Sequence, residues 1–290
     1  MNAPIGLIGL GSMGQPIART LKNAGFEVLG CDLSAANRDA LAAELEVLAD
    51  AAELCRRCPV VLLSLPSSRE VEQVTRNTFL PHAAPDSLLI DLSTADPASS
   101  RALHADLQSA GHAMLDAPVS GGPAGAAAGS LLIMVGGETE ALTRARPVLD
   151  ALAGKVVHCG AAGAGNVVKL IGNLLCASQL ALVGEALALG DANEIDPALL
   201  LEALNAGSGQ SRVSELHVPR WVLSGAFDSG FSMGLMRKDV GLALALAEQT
   251  QTAAPLTRTM VDLWRSAELS DQDDFTRLAQ FTREGRHERD

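Results

Sequence analysis

The sequence has no tyrosine, two tryptophans and six phenylalanines, so aromatic residues fill only 3% of its 290 positions. A core that cannot draw on large rings must be built from Ala, Leu and Val. That suits close helix packing, fits a β-sandwich poorly, and leaves no platform for stacking sugars or bases. Positive charge is scarce as well: 22 Lys and Arg face 34 Asp and Glu, for a formal net charge of −12. Without a Lys/Arg stripe, nucleic acid is not an expected partner. The five cysteines, Cys31, Cys55, Cys58, Cys159 and Cys176, are an odd number thinly spread, which is no disulfide framework and points to a reducing, cytoplasmic setting. Cys55-Arg-Arg-Cys58 lacks the second pair a zinc site needs and reads as structural. The histidines, at 82, 104, 112, 158, 217 and 287, show no ligand spacing, so no metal site is expected. The first residues lack the basic flank, long apolar segment and cleavage site of a secretory signal.

One long uncharged run, Ala117 to Gly137, has the length of a membrane span. Its six glycines and two prolines make it a glycine-rich loop followed by a short strand at Leu131 to Val135, so no membrane association is expected.

What is present is apolar mass: 48% hydrophobic against 19% charged, enough to bury a large core. The length predicts two domains of about 100 to 150 residues each. In the first half, Ile5–Ile8, Glu27–Cys31, Val60–Leu65, Leu88–Leu92, Met114–Ala117, Leu131–Val135 and Val156–Cys159 read as strands, nearly all continuously apolar. Strands buried on both faces look like this. Alanine- and leucine-rich helical stretches such as 16–23 and 37–46 alternate with them, the rhythm of an α/β doubly wound sheet. After Gly160 the rhythm stops. A long helix is predicted over about 165–190, then helices at 197–205, 212–223, 238–248 and 255–268, with no convincing strand. The expected division is therefore 1–162 and 163–290, the second part all α, with the tail from Arg283 to Asp290 a solvated end.

Gly9-Leu10-Gly11-Ser12-Met13-Gly14 is a G-x-G-x-x-G directly after a strand and opening a helix. The glycines permit the turn, the backbone's approach to a pyrophosphate and close helix packing, and the phosphates take the positive helix end. Asp32, 18 residues past Gly14, is placed to accept hydrogen bonds from ribose hydroxyls and repel a 2′-phosphate. NAD is thus favoured, with NADP left open by the nearby Arg38; flavin dinucleotides share the motif. Further on, Asp116 to Gly125 leaves a strand for a loop with exposed backbone N–H groups, able to hold a carboxylate through Ser120, Gly121 and Gly122. On the long helix Lys169 and Asn173, four apart, share one face. A lysine there either snorkels to solvent or acts as general acid/base, since burial beside a cationic nicotinamide lowers a lysine pKa from roughly 10.4 toward neutrality. His217, near Arg220 and Trp221, either borders the site or is a surface residue. The stretch Asn205 to Ser211 either offers N–H groups to substrate or is an ordinary turn.

Residues 9–18 (GLGSMGQPIA), 116–122 (DAPVSGG), 163–169 (GAGNVVK), and Phe231 through Lys238-Asp239 stand in the order found in the β-hydroxyacid dehydrogenases. The chain resembles the 3-hydroxyisobutyrate dehydrogenase branch of that family over all but its charged tail. The resemblance implies an N-terminal Rossmann-type domain, an all-helical second domain joined through the long helix, and a site between the two. It assigns Lys169 as catalytic lysine, Asn173 to substrate orientation, Ser120, Gly121 and Gly122 to the substrate carboxylate, and Lys238 to the cofactor, with Asp239 beside it. Leu65-Pro66 and Ser93-Thr94 match cofactor-lining positions just beyond strand ends. One departure stands out: the family reads Lys-x-x-Asn-Asn, and Gly172 replaces the first asparagine here.

The leading expectation is hydride transfer between NAD and a small β-hydroxy acid, giving the semialdehyde. The alternatives are an imine reductase-like enzyme, disfavoured by the lysine, and a non-catalytic dinucleotide-binding module. A homodimer or homotetramer is expected from the apolar second domain.

Overall fold

A computed structural model describes residues 3–285; of the tail from Arg283 expected to be a solvated end, residues 286–290 lie outside the described residues, while Arg283 itself ends a helix and is part-buried. By its internal contacts the chain forms two units, Met1–Lys169 and Leu170–Asp290.

The first unit is built on one sheet of nine strands: β1 (Ile5–Ile8), β2 (Val28–Cys31), β3 (Glu46–Leu48), β4 (Val60–Leu63), β5 (Leu88–Asp91), β6 (Ala113–Asp116), β7 (Val119–Ser120), β8 (Leu131–Gly136) and β9 (Ala153–Gly160). The order is β3-β2-β1-β4-β5-β6-β8-β7, with β9 also paired to β8. The first six strands run parallel, in registers such as Ile5 to Val28 and Ile5 to Val60. β8 turns antiparallel to β6. Helices cover both faces, which is why β1, β2 and β5 are buried at every position. The core on one face is almost wholly aliphatic, from Leu7, Ile17 and Leu21 to Ile133 and Leu149.

The seven anticipated strands are all present, with two more. Residues 37–46 do not continue as helix: the turn ends at Asp39 and Glu46–Leu48 becomes an edge strand paired to Leu29–Cys31. The glycine-rich stretch after Asp116 is also more ordered than a loop. Val119–Ser120 pairs with Leu132–Ile133, and Gly122–Ala127 forms a helix, because Gly121 reverses the chain at φ 129° and Pro123 sits in the first turn ahead of an alanine run.

The second unit opens within the long helix Ala164–Ala192 and continues through helices Pro197–Ala206, Met233–Gln249, Pro255–Ser266 and Arg277–Arg283. Val213–Leu223 is a wide helix with i→i+5 bonding, accommodating Pro219, which has no N–H to give. One isolated bridge joins Ser232 and Asp274. Trp264, Phe275 and Phe281 are the buried aromatics of a core otherwise built from residues such as Leu180, Val240 and Leu278. Arg283 closes on Asp191 of the long helix at 2.6 Å.

The long helix is the one helix among the described residues long and apolar enough to cross a membrane, although only 33% of its most apolar window is buried. Its contact with the last described helix is close: a Cβ at Gly184 would fall 1.9 Å from Thr282 Oγ1 and 2.4 Å from Ala279 O. Gly184→Ala is therefore expected to destabilise the fold by about 1–3 kcal/mol through overpacking, read as a lower midpoint in urea. An unchanged midpoint would refute this packing.

Candidate active site

In the first unit the anticipated residues converge on the carboxyl ends of the parallel strands. Gly9, just past β1, has φ 98°, and a Cβ there would sit 2.2 Å from Ser64 O; one at Gly14 would sit 1.9 Å from Gly9 O. Any side chain would force the loop off the strand or off its helix. Gly11 is different, since a Cβ there would meet nothing within 4 Å. The middle glycine thus faces open space. The following helix, Gly14–Asn23, has no side-chain cap at Met13; Gln15 N is taken by Gly11 O (3.1 Å) and Pro16 has no N–H, so what the helix opening offers an anion is chiefly the positive end of its dipole. Loop, open glycine and uncapped helix together fit a dinucleotide's pyrophosphate.

Asp32 is held by three donors, Leu10 N at 2.7 Å, Ser34 N at 2.8 Å and Asn37 Nδ2 at 3.2 Å. Its carboxylate is fixed between the glycine loop and the turn after β2. Arg38 Nη1 donates to the carbonyls of Asp32 (2.7 Å) and Leu33 (3.0 Å), bracing that turn. Beyond β4 and β5, Leu65 N donates to Ser93 Oγ (2.9 Å) and Ser93 N to Asp91 Oδ1 (3.0 Å), so the Leu65-Pro66 and Ser93-Thr94 segments are tied side by side. Ala95 N then donates to Asn166 Oδ1 at 2.9 Å.

Asp116, at the end of β6, accepts from Gly163 N (2.7 Å) and Asn166 N (2.9 Å), the opening of the long helix. Burial pushes its carboxyl above the usual 3.8, while the backbone donors pull it back. Three residues on, Lys169 is buried, 8% exposed. Ser120 and Gly121 are exposed. The helix that follows them is tied to the glycine-loop helix by Thr20 Oγ1, which donates to Ala126 O at 2.8 Å.

The second unit contributes Asn173, whose Nδ2 donates to Asp239 Oδ2 at 2.6 Å. Asp239, buried, also pairs with Lys238 Nζ at 3.2 Å. Sequence reasoning placed Asp239 only beside Lys238 and missed its bond to Asn173, 66 residues away. Gly172 is exposed, and a Cβ there would meet nothing within 4 Å, so the missing asparagine leaves no hole in the packing. His217 is part-buried, its Nδ1 3.9 Å from Cys176 Sγ and its ring against Trp221 at 4.9 Å. In the 205–211 turn the Ser211 N–H is spent internally, on Ser214 Oγ. Cys55 and Cys58 are wholly buried, and burial pushes both thiols up to about 12, leaving them unreactive.

The parallel sheet with an open glycine loop at its carboxyl edge defines a dinucleotide-dependent oxidoreductase domain, followed by a helical unit of its own. Residues 4–160 match the family described as the NAD binding domain of 6-phosphogluconate dehydrogenase, and residues 163–282 match the NAD-binding of NADP-dependent 3-hydroxyisobutyrate dehydrogenase. The chain is 39% identical over 271 residues to the NAD-dependent L-serine dehydrogenase of Pseudomonas aeruginosa PAO1, covering 90% of this chain and 91% of that protein. It is also 39% identical over 261 residues to that organism's 3-hydroxyisobutyrate dehydrogenase, covering 87% and 88%. The solved structure of Mycobacterium tuberculosis 3-hydroxyisobutyrate dehydrogenase with L-serine superposes with a TM-score of 0.89 at 35% identity, over 97% of this chain and 99% of that one. The chain belongs to the β-hydroxyacid dehydrogenase family, in its 3-hydroxyisobutyrate dehydrogenase-like branch.

Asp116→Ala would strand two buried N–H groups and is expected to cost about 1–3 kcal/mol or more. Because the folded-state pKa of Asp116 is raised, the charged carboxylate weakens the fold above that pKa, and the penalty is relieved as pH falls through it toward 3.8. The stability gap between wild type and variant should therefore widen on acidification, measured by urea midpoints at neutral and mildly acidic pH. A gap that narrows contradicts the assignment.

Proposed function

We propose that the enzyme interconverts a small β-hydroxy acid and its semialdehyde, with Lys169 as general acid/base. The observation that carries this reading is a buried lysine one turn ahead of Asn173, behind a helix opening anchored at the strand edge where a dinucleotide fits. The cofactor, when bound, accepts or returns the hydride at its nicotinamide ring. The chain's residues do the rest. Ser120 and the backbone of Gly121 and Gly122 hold the substrate carboxylate. Asn173, its amide fixed by Asp239, orients the hydroxyl. The Lys169 amine accepts the hydroxyl proton as hydride leaves the carbon and donates it back in reduction, leaving bulk water out of the transfer. Gly9 to Gly14, Asp32, Leu65, Pro66, Ser93, Thr94 and Lys238 line the dinucleotide, NAD in preference to NADP because the Asp32 carboxylate opposes a 2′-phosphate. The relatives named for L-serine and 3-hydroxyisobutyrate support a short β-hydroxy acid head group.

Lys169→Ala is expected to bind NADH with wild-type affinity while kcat falls about 10² to 10⁴-fold, assayed on a panel of short hydroxy acids with NAD and NADP in parallel. Near wild-type turnover would remove Lys169 from the mechanism.

We also propose that the protein is a homo-oligomer joined through the long helix. Val168, Leu175, Leu182 and Leu189 are exposed at strict seven-residue intervals, with Ile171 on the same side. A stripe of that period is self-complementary about a two-fold axis. Leu182, 58% exposed at its middle, is the point to break it. Sedimentation should show a dimer or tetramer for wild type and smaller species for Leu182→Glu; a wild-type monomer would defeat the proposal.

A further inference from the structure

We propose that Asn37 is a positioning residue for cofactor choice: its amide holds the Asp32 carboxylate where it turns away a 2′-phosphate, so that the preference for NAD depends on both residues. The inference rests on the reading above, in which Asp32 opposes that phosphate, and every residue it uses lies in the first unit.

The turn after β2 carries two opposite charges. Arg38 Nη1 donates to the carbonyls of Asp32 (2.7 Å) and Leu33 (3.0 Å), which keeps its guanidinium in the same turn as the half-buried Asp32. A 2′-phosphate is a monoester bearing about −1.5 to −2 charges at neutral pH, attracted by the guanidinium and repelled by the carboxylate. Two opposite unit charges so close together largely cancel for a third charge, unless one is held toward it and the other held back. Asp32 therefore discriminates against NADP only while its carboxylate is held in place. A carboxylate able to rotate would swing aside and leave the phosphate to Arg38.

The hydrogen bonds show what holds it. Oδ2 accepts from Leu10 N (2.7 Å), on the glycine loop, and from Asn37 Nδ2 (3.2 Å), while Oδ1 accepts from Ser34 N (2.8 Å). Each carboxylate oxygen has two lone-pair sites, so Oδ2 is filled and one site on Oδ1 is left for a ribose hydroxyl. Leu10 N and Ser34 N are main-chain donors, indifferent to the side chains they carry. Among the described residues, Asn37 is the one side chain that donates to this carboxylate. It is itself fixed. Ser34 Oγ caps the short helix Ala35–Asp39 by accepting from Asn37 N (3.4 Å), and Ser34 O accepts from Arg38 N (3.2 Å). The cap thus brings an amide from five residues further along back to the strand end, and Arg38 is seated by the same turn.

The test is calorimetric titration with NADH and with NADPH of wild type, Asn37→Ala, Asn37→Leu, Asp32→Ala and the double variant Asp32→Ala/Asn37→Ala. Wild type should bind NADH more tightly. Losing one hydrogen bond to a charged group should lower that preference about fivefold in Asn37→Ala. Asn37→Leu, which keeps the bulk without the N–H, should lower it equally. In the Asp32→Ala background, Asn37→Ala should leave the ratio of the two affinities where it is, because the amide acts through the carboxylate. A merely structural role for Asn37 would weaken both nucleotides alike. A ratio unmoved in either single Asn37 variant, or moved by Asn37→Ala in the absence of Asp32, would overturn the inference. Asp32→Ala reports on the underlying reading separately: if it keeps the wild-type preference, or if wild type has none, the role of Asp32 falls and that of Asn37 with it. If Asp32→Ala abolishes the preference while both Asn37 variants keep it, only the role of Asn37 falls.

Discussion

The carboxylate of Asp116 is the joint on which the rest of the first unit's chemistry hangs. It ends β6 and, in the same position, caps the opening of the long helix through Gly163 N and Asn166 N. A buried carboxylate is costly in itself, and burial does raise its pKa, but here it meets converging N–H donors at the positive end of a 29-residue helix. Space for it exists because Gly136 and Gly165 have no side chains: a Cβ at Gly136 would lie 2.4 Å from Asp116 Oδ1, and one at Gly165 would lie 2.9 Å from Asp116 Oδ2 and 2.4 Å from Met134 O. The helix is thus seated against the strand edge to within a hydrogen bond, and Lys169 is less than one turn from that anchor. Asn166 carries the constraint sideways, its side chain bonding Ala95 N and Ser100 Oγ, so the Ser93-Thr94 segment and the helix opening form one network.

This arrangement explains what the sequence did and did not disclose. Continuous apolar runs such as LLID and IGLI state their burial on both faces, and strands of that kind were readable without any partner in view. β3 and β7 were not, because three and two residues carry no periodicity; Glu46–Leu48 is a strand only by virtue of β2 beside it. The wide helix around His217 read as an ordinary one, since i→i+5 bonding leaves no mark in a ten-residue pattern. At the site, the residue types were legible and their partners were not. GAGNVVK marks Lys169, yet nothing local says that the aspartate 47 residues earlier holds the loop, or that Asn173 meets Asp239. Long-range hydrogen bonds between single polar atoms are properties of the fold, and only fold-level information reveals them.

Acidity and function are also reconciled by position. A protein with 34 acidic residues that binds anions cannot rely on its net field. Local devices must do it, such as the uncapped helix end at Met13 beside the open glycine loop. Several acids are engaged with their own partners. Glu44 and Glu46 are held below their usual range by hydrogen bonds from Arg19 and Arg57, and Asp191 by Arg283, which keeps those pairs as neutral units on the surface. Being exposed, such pairs contribute little to stability.

The long helix then has three faces with three different demands. Leu170, Ala177, Ala181 and Leu187 are buried and hold it in place; the small residues among them, with Gly184, allow the last described helix to approach closely. A second face carries Lys169, Asn173 and Cys176, polar groups spaced a turn apart. The third carries exposed leucines at heptad spacing. A helix that is apolar nearly all round normally lies wholly inside a core or a bilayer. Here two-thirds of its most apolar window is unburied within one chain, and the polar face runs through the same window. A bilayer would leave Lys169, Asn173 and their partners to be satisfied in hydrocarbon, at a cost of several kcal/mol for each unsatisfied group. Covering the leucine stripe with a second copy of the same helix satisfies the apolar face and leaves the polar one free for substrate, which is why the proposed interface and the proposed chemistry are compatible on one element.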